Sequence, residues 1–561
     1  MKTFAQSLVA VALFAGSVIP CAAKDEVPAA DSGNKPVAVV TLASYDRLMT
    51  DIAFVGNLAG NPDLDKNIEG AIQLFTQGQG LNGLDKKRPV GLILTTDGQQ
   101  FQPLLIIPVS DLKQLLESLA GLIGEAQDAP DGAFELNVFG QKIFVKEQNK
   151  WAFVAQTPEA FTQLPKDPAK LMASLNKSYD IAARVYIQNV PDLYRSMFID
   201  QMRAGVERGL ARQEDESDED FAARKKVVEG QADFFSKLVK EIDELTLGVA
   251  LDVKSKTAHV DLSVSAVAGS DSAKSMATMQ NTTSDFAGFL VPDAAASLSL
   301  TVKVAKEDAG QIAAGLASFR AQAMQHIESE PRLADDASKT LAKEMVGQIF
   351  DAIQSTLESG RVDAGATLNL DGKAMSVVAG VYVSEPKKLE DALKKFAKLM
   401  EKDPDFAGFK FNADQHAGIR FHTTTIPVPK DEDVSKILGE KLDVAVGIGP
   451  KAVYLAVGTD SLKLCKTLID KSKADASKKL PPFQLNVSLA PIFQFASAMQ
   501  DRPEIRAMAE ELAKSQGKDK VRIVIMPDSN AVTLRIEAQE AVLQLLGTAF
   551  RQAGGIPGLG Q

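Results

Sequence analysis

The sequence predicts an α+β protein made of two tandem homologous halves, each a mainly antiparallel sheet with helices packed on one face. Three observations predict it. The segment "VGLILTTDGQQFQPLLIIPVSDLKQLLESL", Val90 to Leu119, aligns without a gap with "AGATLNLDGKAMSVVAGVYVSEPKKLEDAL", Ala364 to Leu393. Further matches keep the same order along the chain, as duplication requires. Each half holds about nine strand candidates dominated by hairpins, the mark of an antiparallel sheet.

The elements follow in order. Lys2, the apolar run Leu8 to Ile19 and Pro20-Cys21-Ala22-Ala23 before Lys24-Asp25-Glu26 have the form of a secretory signal peptide over residues 1–23. Small residues at Cys21 and Ala23 predict cleavage after Ala23. A lipid anchor on Cys21 is the competing reading, and Ile19 and Pro20 fit it poorly. Residues 24–35 have the composition of a disordered mature N-terminus.

The first repeat is assigned to residues 36–280. "GQGLNG", Gly78 to Gly83, matches the dinucleotide fingerprint in letters. A helix-like segment precedes it and a strand follows, the reverse of the order that brings a pyrophosphate to a helix N-terminus, so a loop is expected. In the repeated unit apolar residues alternate through Leu92 and Leu94, Asp97-Gly98 interrupts, and Leu105, Ile107 and Val109 resume: a hairpin. Ser110 is placed to cap a helix whose period of 3.6 runs through Leu112, Leu115, Leu116 and Leu119. The second unit repeats this with Asp371-Gly372, Ser384, and Leu389, Ala392, Leu393 and Phe396.

"KWAFVAQTPEAF", Lys150 to Phe161, resembles "KAVYLAVGTDSL", Lys451 to Leu462. "ARVYIQNVPDLYRSM", Ala183 to Met197, aligns with "FQLNVSLAPIFQFAS", Phe483 to Ser497. Each half then ends in a hairpin and a helix, while "KPVAVVTLASYDRLM" corresponds more loosely to "ASLSLTVKVAKEDAG". The acidic run Arg212 to Lys226 lacks the spaced acids and central glycine of a calcium loop and reads as a solvated helix face, capped at Ser217. Residues 281–290 form the expected junction, 291–550 the second repeat, and 551–561 a flexible tail.

Composition narrows the function. A net charge of −11 with interspersed signs disfavours a nucleic-acid surface, which needs a basic stripe. No apolar run after the signal approaches the ~20 residues that cross a bilayer. Past Ala23 the one thiol is Cys465, so an internal disulfide is impossible. Leu462, Cys465, Leu468 and Ile469 share a helical face, which makes Cys465 a small hydrophobe of the core.

No catalytic motif and no cofactor motif emerges. The candidate metal ligands are Asp414, His416 and His422, whose even spacing puts all three on one face of a single strand. The first half has Phe144 near the position of His422 and no histidine in that hairpin, so such a site would belong to one half.

Signal peptide, Ala-rich helices and repeated strand-Asp-Gly-strand-helix units together resemble large secreted proteins of planctomycete-type bacteria. The resemblance rests on Asp97-Gly98, Asp371-Gly372 and the helices after Ser110 and Ser384, and it implies no activity. The leading expectation is a non-catalytic protein of the periplasm or the cell exterior that binds or scaffolds envelope components. The alternative is a carrier of an apolar ligand held between sheet and helices. The third is a hydrolase or metal-dependent enzyme.

Overall fold

The computed structural model describes residues 35–552, apart from 139, 211, 213–215, 305, 332, 334, 372–373, 402–405, 429–437 and 501. The signal peptide with Cys21, residues 24–34, Gly372 and residues 553–561 of the expected tail lie outside the described residues.

The protein is α+β, and the chain divides into two compact bodies. Among the described residues the first comprises 35–198, Ile242–Ala266 and 537–552; the second comprises Ile199–Glu241 and Val267–Ile536. The bodies therefore interleave along the sequence instead of meeting at 281–290.

In the first body the strands are β1 (Lys35–Leu42), β2 (Val90–Thr96), β3 (Phe101–Pro108), β4 (Gln127–Asp128), β5 (Ala133–Val138), β6 (Gln141–Gln148), β7 (Trp151–Ala155), β8 (Ile181–Tyr186), β9 (Ile242–Asp252) and β10 (Thr257–Ala266). They pair antiparallel in the order β10-β9-β8-β1-β2-β3-β7-β6-β5-β4. Helices α1 (Tyr45–Leu58) and α2 (Leu64–Phe75) follow β1, α3 (Leu112–Ile123) follows β3, α4 (Pro168–Asn176) precedes β8, and α5 (Asp192–Gly209) follows it, in the first body as far as Phe198 and in the second from Ile199. Helix α6 (Asp218–Glu241) belongs to the second body, and so does α7 (Asp271–Thr278), whose Ser272 N–H donates to Glu241 Oε2 at 2.9 Å.

The second body carries β11 (Ala296–Lys303), β12 (Arg361–Leu370), β13 (Met375–Tyr382), β14 (Lys410–His416), β15 (Ile419–Pro427), β16 (Lys441–Ile448), β17 (Ala452–Gly458), β18 (Phe483–Ser488), β19 (Lys520–Pro527) and β20 (Ala531–Gln539). The order is β20-β19-β18-β11-β12-β13-β17-β16-β15-β14, the same as in the first body with every number raised by ten. Its helices are α8 (Lys306–Ser329), α9 (Asp336–Glu358), α10 (Pro386–Met400), α11 (Ser461–Ala474), α12 (Leu489–Met499) and α13 (Pro503–Ala513). Helix α14 (Glu540–Gln552) returns to the first body, where Lys256 pairs with Glu540 at 2.6 Å.

Helices cover both faces of the central strands, not one. In β3 and β7, Ile106 and Phe153 join Met172 and Leu175 of α4 on one face. Ile107 and Ala152 join Leu112, Leu115 and Leu116 of α3 on the other. Runs such as "LLIIPV" and "WAFVA" are apolar at consecutive positions for this reason.

One glycine in each repeated unit makes the first face possible. A methyl group on Gly91 would lie 2.3 Å from Met172 Sδ; one on Gly365 would lie 2.7 Å from Phe286 Cβ. The side chains that use this room differ. In the second body they come from residues 281–290, the expected junction, where Phe286 and Phe289 are wholly buried.

Two local expectations shift by a residue. Helix α3 is capped by Asp111, whose carboxylate accepts from Gln114 N at 3.1 Å, rather than by Ser110. Helix α10 begins at Pro386 after Glu385, and the Ser384 hydroxyl meets Ser355 Oγ at 3.0 Å. At both places the strand ends at Pro108 or Tyr382, one residue before the last apolar position of its alternation, and the helix cap falls one residue beyond the serine.

Candidate functional site

Successive side chains of a strand alternate between faces, so the register assigns every residue of the first sheet to one side. The side away from α4 carries a continuous apolar strip. One row runs Leu262, Leu247, Ala183, Val40, Leu92, Leu105, Val154 across seven strands. A second runs Val260, Val249, Ile181, Leu42, Val90 and a third Val264, Leu245, Val185, Ala38, Leu94, Pro103. None of these positions has a hydrogen-bonding side chain.

The strip is open. Leu247 is 51% exposed, Ile181 47% and Leu262 41%, whereas Val145, next in the first row beyond Val154, is 3% exposed beneath α3. From β10 to β3 the strip measures roughly 24 Å by 14 Å, from strand spacing and residue rise. Apolar patches of that extent mark interaction surfaces in soluble proteins. Phe101 on β3 bounds it at one margin, its ring tilted by 58° against that of Tyr194 on α5 with centres 5.1 Å apart.

The second sheet repeats the pattern more weakly. Ile523, Leu485, Leu298, Ala366, Ala379 and Leu455 form one row, with Leu455 41% exposed. The opposite side of its β11 is buried but polar: Ser297, Ser299 and Thr301, with Thr301 Oγ1 donating to Thr283 O at 3.1 Å.

The structure separates the three predicted metal ligands. A two-residue turn at Ala417-Gly418 pairs His416 with Ile419, so Asp414 and His416 share a face with Phe421, and His422 points the other way. Even spacing across a hairpin does not keep parity. His416 Nε2 lies 2.8 Å from Asp470 Oδ1, and Asp414 Oδ2 lies 2.5 Å from Lys466 Nζ, which with the other causes holds the Asp414 carboxyl below its usual range. Asp414 also lines a cleft of about 670 Å³ with Lys410, Asp443, Ser461 and Lys466, where both signs of charge are present. Among the described residues no group of three His, Cys, Asp or Glu is placed to hold a metal ion.

His422 is wholly buried. Its Nδ1 accepts from Asn412 N at 2.9 Å, and its Nε2 lies 3.8 Å from Oε1 of the buried Glu390 on α10. Burial lowers its pKa, the Glu390 charge opposing and Arg420 assisting. Glu390 is itself buried, yet Lys394 and Arg420, the latter at 2.6 Å, outweigh that burial and keep it a carboxylate. Phe134, not Phe144, occupies the matching position of the first sheet, reached from Leu92 through Leu105, Val154 and Val145 as His422 is reached from Ala366 through Ala379, Leu455 and Val446.

Sequence reasoning missed one ionic cluster of the first body. Asp180 accepts from Leu251 N at 2.7 Å and pairs with Arg47 of α1, whose Nη1 donates to Asn176 O at 3.3 Å. Asp51, one turn beyond Arg47, is buried against Asp180. Burial first, then the Asp180 charge and hydrogen bond, push its carboxyl up to about 7, with Arg47 opposing. Asp51 Oδ2 and Thr41 Oγ1 are buried without a hydrogen-bond partner among the described residues. The only sequence signal was an acid on an apolar helix face.

Cys465 lies in the core, where burial pushes its thiol up to about 12, and it has no nucleophilic character. "GQGLNG" is the loop between α2 and β2. Compared with family models, with characterised proteins and with solved structures, the chain matches none.

Proposed function

We propose that the chain is an exported, non-catalytic binding protein, built by internal duplication, that receives an apolar ligand on the open face of its first sheet. The observation that carries this reading is the three-row strip around Leu247 and Leu262: a patch of this size without a polar side chain is costly to leave in water.

Duplication is supported by the shared strand order and by Gly91 and Gly365 at matching positions of the repeated unit. The ionic clusters are not shared: Phe134 stands where the other half has His422, and Asp51 and Asp180 belong to the first body. Selection on the two halves has therefore kept the sheet, not a polar constellation, which favours binding over catalysis. Binding of an apolar molecule is favoured over scaffolding because the strip offers a protein partner no hydrogen bonds. Export is supported by the form of residues 1–23.

The test is uptake of Nile red by the folded chain. Enhanced emission is expected, with a several-fold loss in Leu247→Asp/Leu262→Asp. No uptake by wild-type protein of intact near-ultraviolet circular dichroism overturns the reading.

A further inference from the structure

We infer that His422 is an acid-operated latch on the edge strand β14: neutral, it holds the bulge of that strand against β15, and protonated it lets go, opening the cleft that β14 walls. The inference is independent of the strip and concerns the second body alone.

Three features carry it. The first is the bulge. Lys410 pairs with Thr423 and Asp414 with Phe421, so the single residue His422 stands opposite Phe411, Asn412 and Ala413. Extra residues on one strand leave backbone groups without a ladder partner. The N–H of Asn412 is such a group, and it donates to His422 Nδ1 at 2.9 Å. Asn412 has φ +56, in the left-handed region that favours glycine, so the tie holds a conformation the chain does not take freely.

The second is position. Among the described residues β14 pairs with β15 alone. Its remaining ties are few: Asp414 to Lys466 and His416 to Asp470 on α11, Gly408 O to Thr424 Oγ1 at 2.8 Å, and the Phe411 ring 5.2 Å from the imidazole. A segment held in this way can open while the β15-β16-β17 ladder stays closed. Gly408, Lys410 and Asp414 line the cleft of about 670 Å³ together with Asp443, Ser461 and Lys463, so loosening β14 removes one wall.

The third is proton chemistry. Nδ1 is the one nitrogen of the neutral ring that can take a proton, and a proton there sets donor against donor. The charged groups facing the ring are Glu390 and Lys394 of α10 and Arg420 of β15, while β16 presents Val446. Burial, Arg420 and Lys394 outweigh Glu390 and disfavour the imidazolium. The ring therefore takes a proton more readily released than latched, and acid favours release. The ties to α11 survive the same acid. Lys466 holds the Asp414 carboxyl below its usual range, and a proton on His416 adds charge to its contact with Asp470.

The experiment is hydrogen exchange of the full chain, read by mass spectrometry at pH 7.5 and pH 5.0 and corrected for the intrinsic rate. A free imidazole of pKa ~6.5 is protonated about 30 to 1 at pH 5, which caps the effect. A loss of protection of at least about fivefold is expected in peptides over 406–418 on going to pH 5, within that cap. Peptides over Lys441–Gly458 should keep theirs, and His422→Gln should show the same protection of 406–418 at both pH values. His422→Phe serves as the second variant should His422→Gln lose its near-ultraviolet circular dichroism. Equal protection of 406–418 at both pH values in the wild type overturns the latch. So does an equal acid loss in the variants, which assigns it to another group, or a loss shared by Lys441–Gly458, which makes it unfolding of the whole sheet.

Discussion

His422 and Glu390 face each other 3.8 Å apart in the interior of the second body, a buried imidazole and a buried carboxylate that do not close a hydrogen bond. The His422 ring receives Asn412 N–H at Nδ1, so its proton sits on Nε2, toward Glu390. Protonation at Nδ1 would break the bond to Asn412. Because burial lowers the folded pKa below the free value of ~6.5, the unfolded chain binds the proton first as the pH falls. Stability from neutral His422 is therefore complete above about pH 6.5 and declines below it.

His422→Phe should remove that decline, since Phe134 shows that a phenyl ring suits the matching position. Unfolding in urea at pH 7.5 should shift by no more than ~1 kcal/mol, the cost of an unpaired Asn412 N–H. Persistence of the acid decline would show that another group causes it. Glu390→Gln should cost about 1–2 kcal/mol, discounted because Arg420 and Lys394 are half-exposed and find water.

Asp51 produces the opposite slope. Its folded pKa of about 7 exceeds the ~3.9 of an unfolded aspartate, so the folded protein holds a proton that the unfolded chain has released. That contribution is complete below about pH 4, falls as the pH rises, and is gone above about 7. Asp51→Asn keeps the shape and removes the charge, so it should raise the melting temperature of the first body at pH 8 by several degrees. The gain should vanish toward pH 5. Equal effects at both pH values would refute the raised Asp51 carboxyl.

Gly91 and Gly365 should respond unequally to alanine. The obstacle at Gly91 is the thioether of Met172, a flexible side chain, and the cost should stay below ~1 kcal/mol. At Gly365 it is the Cβ atoms of Phe286 and Phe289, fixed to the backbone, and about 2–3 kcal/mol is expected. Equilibrium unfolding of both variants reads the difference.

Protein recovered from the envelope of its own host should begin at Lys24. An N-terminus at Cys21 carrying added lipid mass would instead establish the anchor. N-terminal sequencing with intact-mass measurement decides between them.

Much of the fold could be read from the residues. Asp97-Gly98 does turn β2 into β3: the Asp97 carboxylate accepts from Gln99 and Gln100 N–H, and Gly98 has φ +99. What misled the reading was the assumption that a strand buries its apolar side. In β11 the buried side is Ser297, Ser299 and Thr301, and the apolar side stays half-open. A match that aligned apolar with apolar set Val40 against Thr301, whereas the register sets it against Leu298, three residues away. The strip escaped notice for a related reason: sequence shows which residues are apolar, but exposure depends on what is packed over them.

Lys256 and Glu540 are paired across 284 positions of sequence. Helix α14, which carries Glu540, sets Gly547 against Ala59, at the end of α1, within the body that begins at β1. The body that is started first is thereby finished only after the whole of Val267–Ile536 has been made. On a ribosome the strands β1–β10 are complete at Ala266, and α1 waits through that interval for α14, the helix that packs on it. A chain cut within Val267–Ile536 would lack α14, so loss of sequence in the second body takes a helix from the first.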